Sequence, residues 1–114
     1  MQVNSNGFAV ILITTSQDEE SQLIARVLLE QKIAACVNII PQINSLFWWK
    51  QSIEQERESM LIVKTRVKLI DEVVRLIKEV HSYEVPEIIA LPIIGGNHDY
   101  LEWIDHEVIP EEAE

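Results

Sequence analysis

An α+β fold of the ferredoxin-like type, ordered β-α-β-β-α-β with one extra C-terminal helix, is predicted by three observations. Two stretches carry apolar residues at helical spacing, and each is flanked by apolar, β-branched runs of strand length. The two central runs are separated only by a short polar turn, so they form a hairpin rather than a crossover. Segments 8–40 and 53–93 are of similar length and each holds one helix, as the pseudo-symmetry of that plan requires.

The first strand is Phe8 to Thr15, apolar at consecutive positions as befits a strand buried on both faces. Ser16-Gln17-Asp18-Glu19 reads as a capping box, with acids in the first turn where the helix dipole favours them. Leu23, Ile24, Val27 and Leu28 form the apolar stripe of helix one, with Glu30 and Lys32 outside it. Residues 33–49 read as one long strand, bent at Pro41, which supplies no ladder N–H. Beyond the bend, Ile43, Ser45, Phe47 and Trp49 alternate with Asn44, Leu46 and Trp48, placing the two adjacent tryptophans on opposite faces.

Lys50-Gln51-Ser52 supplies the turn, and Ile53 to Thr65 is the return strand, polar first and apolar later. Leu69, Ile70, Val73, Val74, Ile77 and Val80 carry the second helix, ending near His81. Glu87 to Ile93 is a short strand bracketed by Pro86 and Pro92, which suits an edge. After Gly95-Gly96, Asn97 or Asp99 caps a last helix bearing Tyr100, Leu101, Ile104 and Val108. The 114 residues suit a single domain, with 1–6 and 110–114 frayed.

The net charge is −10, and all nine Lys and Arg lie between Arg26 and Lys78. No cationic cluster exists to displace counterions, so neither nucleic acid nor an anionic membrane is an expected partner. The lone Cys36 excludes an internal disulfide framework and reads as a small buried hydrophobe in the run Ile33 to Val37. No apolar run approaches a membrane span, and the N-terminal residues lack the pattern of a secretory signal, so a cytoplasmic protein is expected.

A strand of 17 residues would reach roughly 55 Å, longer than its short neighbours can pair. The overhang carries Leu46, Phe47, Trp48 and Trp49, which a monomer leaves in water. Self-association through this hairpin follows, with Phe47, Trp48 and Trp49 at the interface.

The stretches "KIAACVNIIPQINSLFWW", "IVKT", "YEVPEIIALPI" and "DYLEWI", in this order and spacing, resemble the CutA divalent-cation tolerance proteins over about residues 8–108. The resemblance implies a ferredoxin-like fold and a tight homotrimer joined through the long hairpin. It implies a role in tolerance of, or response to, divalent metal ions such as copper, and no enzymatic activity. The trimer of that family is similar in architecture to PII signalling proteins, which hold small effectors between subunits. A PII-like sensor of a metabolite or anion, and a trimeric scaffold for a partner protein, are therefore the alternative functions. No cofactor is required by this reading, and Cu2+ or another divalent cation is the ion to test.

The family's bacterial copper ligands are a cysteine at the end of the first strand and two adjacent histidines after the second helix. Here those positions read Thr14 and Val80-His81, and the following His-Pro-Tyr reads His81-Ser82-Tyr83. His81 is the remaining metal candidate, with Cys36 as a soft ligand beside it, against a plain helix-capping role. His98 and His106 stand at i, i+8, too far apart for a zinc-gripping pair, and read as solvated. Glu56 and Glu58 share one strand face with Lys64, which suits ion pairs better than catalysis. Matched to the family's motif, Cys36, Trp49, Glu58, Lys64, His81, Tyr83 and Glu87 are expected together at a subunit cleft, for a metal or a small polar ligand.

Overall fold

The computed structural model describes residues 6–16 and 18–110. Most of the ends expected to fray, 1–5 and 111–114, lie outside them, as does Gln17 of the expected capping box. The chain runs β1 (Phe8–Thr15), α1 (Asp18–Glu30), β2 (Cys36–Trp49), β3 (Ser52–Arg66), a 3-10 turn (Val67–Leu69), α2 (Ile70–Val80), β4 (Ile88–Ile93) and α3 (His98–Glu107). The four strands form one antiparallel sheet ordered β2-β3-β1-β4, the ferredoxin-like arrangement with the proline-containing β4 at an edge.

Strand alternation divides the sheet into two faces. Ala9, Ile11 and Ile13 of β1 pair with Thr65, Val63 and Leu61 of β3, and all six are buried. Against this face α1 and α2 pack Ile24, Leu28, Val73 and Ile77, which completes the core. The helix-one stripe differs from expectation. Leu23 faces solvent at 53% exposure, while Ala25 takes a core position. Helix α3 lies over the opposite face at the β2–β3 end, where Asp105 pairs with Arg66 and Ile104 is fully buried.

Two boundaries move for local reasons. Helix α1 stops in a Schellman turn: the Ile33 N–H reaches Leu28 O at 3.2 Å and the Lys32 N–H reaches Leu29 O at 3.0 Å. Lys32 adopts φ 57 there, and the chain needs Ile33 to Ala35 to reach the sheet, so β2 begins at Cys36 rather than at residue 33. The helix start is also shifted by one: it is Glu20, not Glu19, that accepts from the Ser16 N–H and hydroxyl.

Pro41 marks a β-bulge. The register steps from Ile40 opposite Met60 to Ile43 opposite Glu58, and the Pro41 carbonyl, turned off the ladder, accepts the Ser59 hydroxyl at 3.0 Å. The extra residue reverses the parity of β2. Cys36, Asn38 and Ile40 before it therefore share a face with Ser45, Phe47 and Trp49 beyond it. The hairpin closes through a two-residue loop, Lys50 (φ 49) and Gln51 (φ 71), between the paired Trp49 and Ser52.

Candidate functional site

Where β1 ends at Thr15, the hairpin continues alone, and the segment from His81 to Glu87 fills the space beside β3. Four contacts hold that segment. The His81 Nε2–H donates to the Thr14 carbonyl at 2.7 Å, and the Tyr83 N–H donates to His81 Nδ1 at 3.0 Å. The Ser82 N–H donates to Glu20 Oε2 at 2.7 Å, and the Tyr83 hydroxyl donates to Glu58 Oε2 at 2.7 Å. Both outer acids come from elements fixed by the core, so the segment is clamped at its start.

Electrostatics follow from these bonds. Burial pushes the Glu20 carboxyl up, but the hydrogen bonds from Ser82 and Ser16 and the nearby His81 ring outweigh it, and the net shift is downward. Burial first, then the bond to Glu58 and the acids around it, push the Tyr83 phenol well above its usual value. Tyr83 is thus a fixed hydrogen-bond donor at any physiological pH.

Between this segment and the hairpin lies an open cleft of about 760 Å³. Trp49, Glu58, Tyr83 and Glu87, four of the residues expected at a cleft, line it together. Glu54, Glu56 and Glu84 add three more carboxylates, with Phe47, Leu46 and Val85 as apolar wall. Glu54 and Glu84 did not stand out in the sequence. The alternation Glu54-x-Glu56-x-Glu58 was the signal for the first, since strand parity puts all three on one face.

Within the chain, Lys64 and Cys36 lie apart from this cleft. Lys64 pairs with Val10 and Cys36, six residues along β3 from Glu58 and so ~20 Å away at the usual strand rise. There its ammonium contacts Asn38 Oδ1 and lies 4.0 Å from Cys36 Sγ. Tyr100 of α3 faces the same thiol, and burial followed by that neighbour raises its phenol pKa. Glu58 accordingly meets Tyr83 rather than a cation. His98, 82% exposed, pairs with Glu102 at 2.9 Å.

The donor set does not fit a copper centre at His81. Its side chain is wholly buried, its Nε2 carries a proton bound to Thr14, and the Nδ1 lone pair accepts the Tyr83 N–H. Thr14 and Val80 supply neither thiolate nor imidazole, and Cys36 belongs to the distant Lys64 cluster. Among the described residues no three His, Cys, Asp or Glu side chains are grouped to hold a metal ion.

A ferredoxin-like sheet with a bulged, overlong hairpin and an acid-lined cleft at its base defines a small α+β protein of a distinct class. The chain belongs to the CutA1 divalent ion tolerance protein family, whose profile matches residues 9–107. It is 49% identical over 98 residues to the divalent-cation tolerance protein CutA of Archaeoglobus fulgidus, covering 86% of this chain and 95% of that one. It is 41% identical over 95 residues to the protein of the same description from Thermus thermophilus, covering 83% and 92%. The chain spans about half the length of the rice, mouse and human relatives it matches, 54%, 54% and 51% respectively. Among solved structures, CutA1 from Oryza sativa superposes with a TM-score of 0.90 at 39% identity, covering 94% of this chain and 98% of that one. The Archaeoglobus fulgidus protein, described as periplasmic, superposes at 0.87 with 46% identity, covering 90% and 99%.

Proposed function

We propose that the protein is a homotrimer, assembled through the β2–β3 hairpin, that serves divalent-cation tolerance without enzymatic activity and without a resident metal. The observation that carries the assembly is the exposed apolar surface of the hairpin. Leu46, Trp48 and Ile53 are 65%, 71% and 62% exposed on one face, and Trp49 is half-exposed on the other. Leaving this much aromatic and aliphatic area in water forgoes ~1.5–3 kcal/mol per large side chain, which a second copy recovers.

The link to divalent ions rests on the relatives from Archaeoglobus fulgidus and Thermus thermophilus, both described as divalent-cation tolerance proteins. The His81 donor set argues against a tight copper centre as the means. Ions meet the protein instead through its net charge of −10, weakly and without fixed geometry. Isothermal calorimetry with Cu2+ and Zn2+ checks this clause, and a micromolar copper site lost on His81→Ala would contradict it. Copper tolerance of a host lacking its own family member, with and without this chain, checks the physiological one; equal tolerance in both strains would contradict it.

The acting compartment proposed is the cytoplasm, tested by fractionation. No helix among the described residues is long and apolar enough to cross a membrane. The cleft favours a second reading, a small-molecule sensor. Within one chain the acidic lining of the cleft disfavours an anion as its ligand.

A further inference from the structure

Both ring nitrogens of His81 are bonded, and a proton added to the ring treats the two bonds differently. The Nε2–H bond to the Thr14 carbonyl, 2.7 Å long, survives protonation. The bond at Nδ1 does not. It accepts the Tyr83 N–H at 3.0 Å, and a proton there takes away the lone pair that this bond needs. Two N–H groups would then face each other beside a side chain that is wholly buried.

A second acceptor stands within reach. Glu20 Oε2, which receives the Ser82 N–H at 2.7 Å, is 3.9 Å from His81 Nδ1. Burial raises the Glu20 carboxyl, but the bonds from Ser82 and Ser16 outweigh it and hold the group below 4.5. Glu20 is therefore ionised wherever a histidine changes charge. The surroundings of the ring come from every side of the fold. Helix α1 supplies Glu20, β1 the Thr14 carbonyl, and α2 holds the His81 N–H through the Ile77 carbonyl at 2.8 Å. The Tyr83 ring lies 4.7 Å away, centroid to centroid, and Glu58 of β3 acts on the site through the Tyr83 hydroxyl.

We propose that His81 is an acid-sensitive latch on the wall of the cleft. Protonation of Nδ1 exchanges the Tyr83 N–H for the Glu20 carboxylate, and the segment loses one of the contacts that clamp its start. Those contacts fall on His81, Ser82 and Tyr83, whereas Glu84, Val85 and Glu87 beyond them are exposed and line the cleft. The wall is set at neutral pH and loosened in acid. Every group involved belongs to one chain, so the latch requires neither the trimer nor a bound ion, and its failure leaves the proposed assembly standing.

Amide exchange of the full chain, followed by NMR and expressed as protection factors to remove the intrinsic pH dependence of exchange, tests the latch. From about pH 8 to about pH 5, Tyr83 protection should fall about tenfold, at the midpoint where the His81 ring resonances titrate. The amide of Val63, in the core of β3, should keep its protection over the same range. In Glu20→Gln the midpoint should move to lower pH, because the charged ring has lost its carboxylate. Tyr83 protection that stays level, a fall shared by Val63, or an unmoved midpoint in Glu20→Gln would overturn the proposal.

Discussion

His81 illustrates how a residue's chemistry is decided by its two neighbours in space rather than by its type. With Thr14 O on one ring nitrogen and the Tyr83 N–H on the other, it is a structural strut that anchors the segment walling the cleft. Tyr83 continues the chain of contacts to Glu58. Tyr83→Phe removes that donor from a buried carboxylate, and a loss of ~1–3 kcal/mol in denaturant unfolding is expected. A change under a few tenths of a kcal/mol would show that the bond is not formed in solution. Glu20 gives the pH signature. Its folded-state pKa lies below the ordinary 4.5, so its contribution is complete above 4.5 and is lost as pH falls through the lowered value. The stability gap between the native chain and Glu20→Gln should therefore close below pH 4.5, followed by thermal melts across that range. A gap independent of pH would contradict the assignment.

At the scale of elements, the sequence marked helices and strands wherever one period dominated over a whole segment. β1, α2 and the hairpin were legible because their apolar residues repeat without interruption, and Pro41 announced its bulge because proline cannot join the ladder. What escaped was set by single backbone events. The left-handed Lys32 fixes where α1 stops, and the extra bulge residue decides which side chains of β2 share a face. The candidate site was half legible for the same reason. Trp49, Glu58, Tyr83 and Glu87, which the family resemblance implies for a subunit cleft, line one cleft within the chain, whereas Lys64 has the same parity as Glu58 but lies six residues away. Parity is readable from a sequence; distance along a strand relative to a cleft is not. The hairpin loop makes its own prediction. Lys50 and Gln51 both occupy the left-handed region where glycine is favoured, at φ 49 and φ 71. Gln51→Gly should raise stability by about 1 kcal/mol, read as a shift in denaturant midpoint. Destabilisation would mean that the loop takes another conformation in solution.

For the whole molecule, the extents of 46 × 32 × 28 Å reflect a hairpin that outruns the helix layer meant to cover it. Helices α1 and α2 shield the sheet beside β1, but nothing among the described residues covers Leu46, Trp48 and Ile53 beyond it. In the proposed assembly, further copies bury those residues and cover the exposed strand pair. Trp48→Asp places a charge in that contact, so it should reduce the assembly to smaller species while the helix-face core keeps each chain folded. Circular dichroism separates the two effects, since loss of secondary structure would instead mark Trp48 as part of the fold itself. The central claim, self-assembly through the hairpin, is tested most directly by light scattering of the unmodified chain in solution. A mass three times the 13.1 kDa chain is the predicted result, and a mass near 13.1 kDa would contradict it.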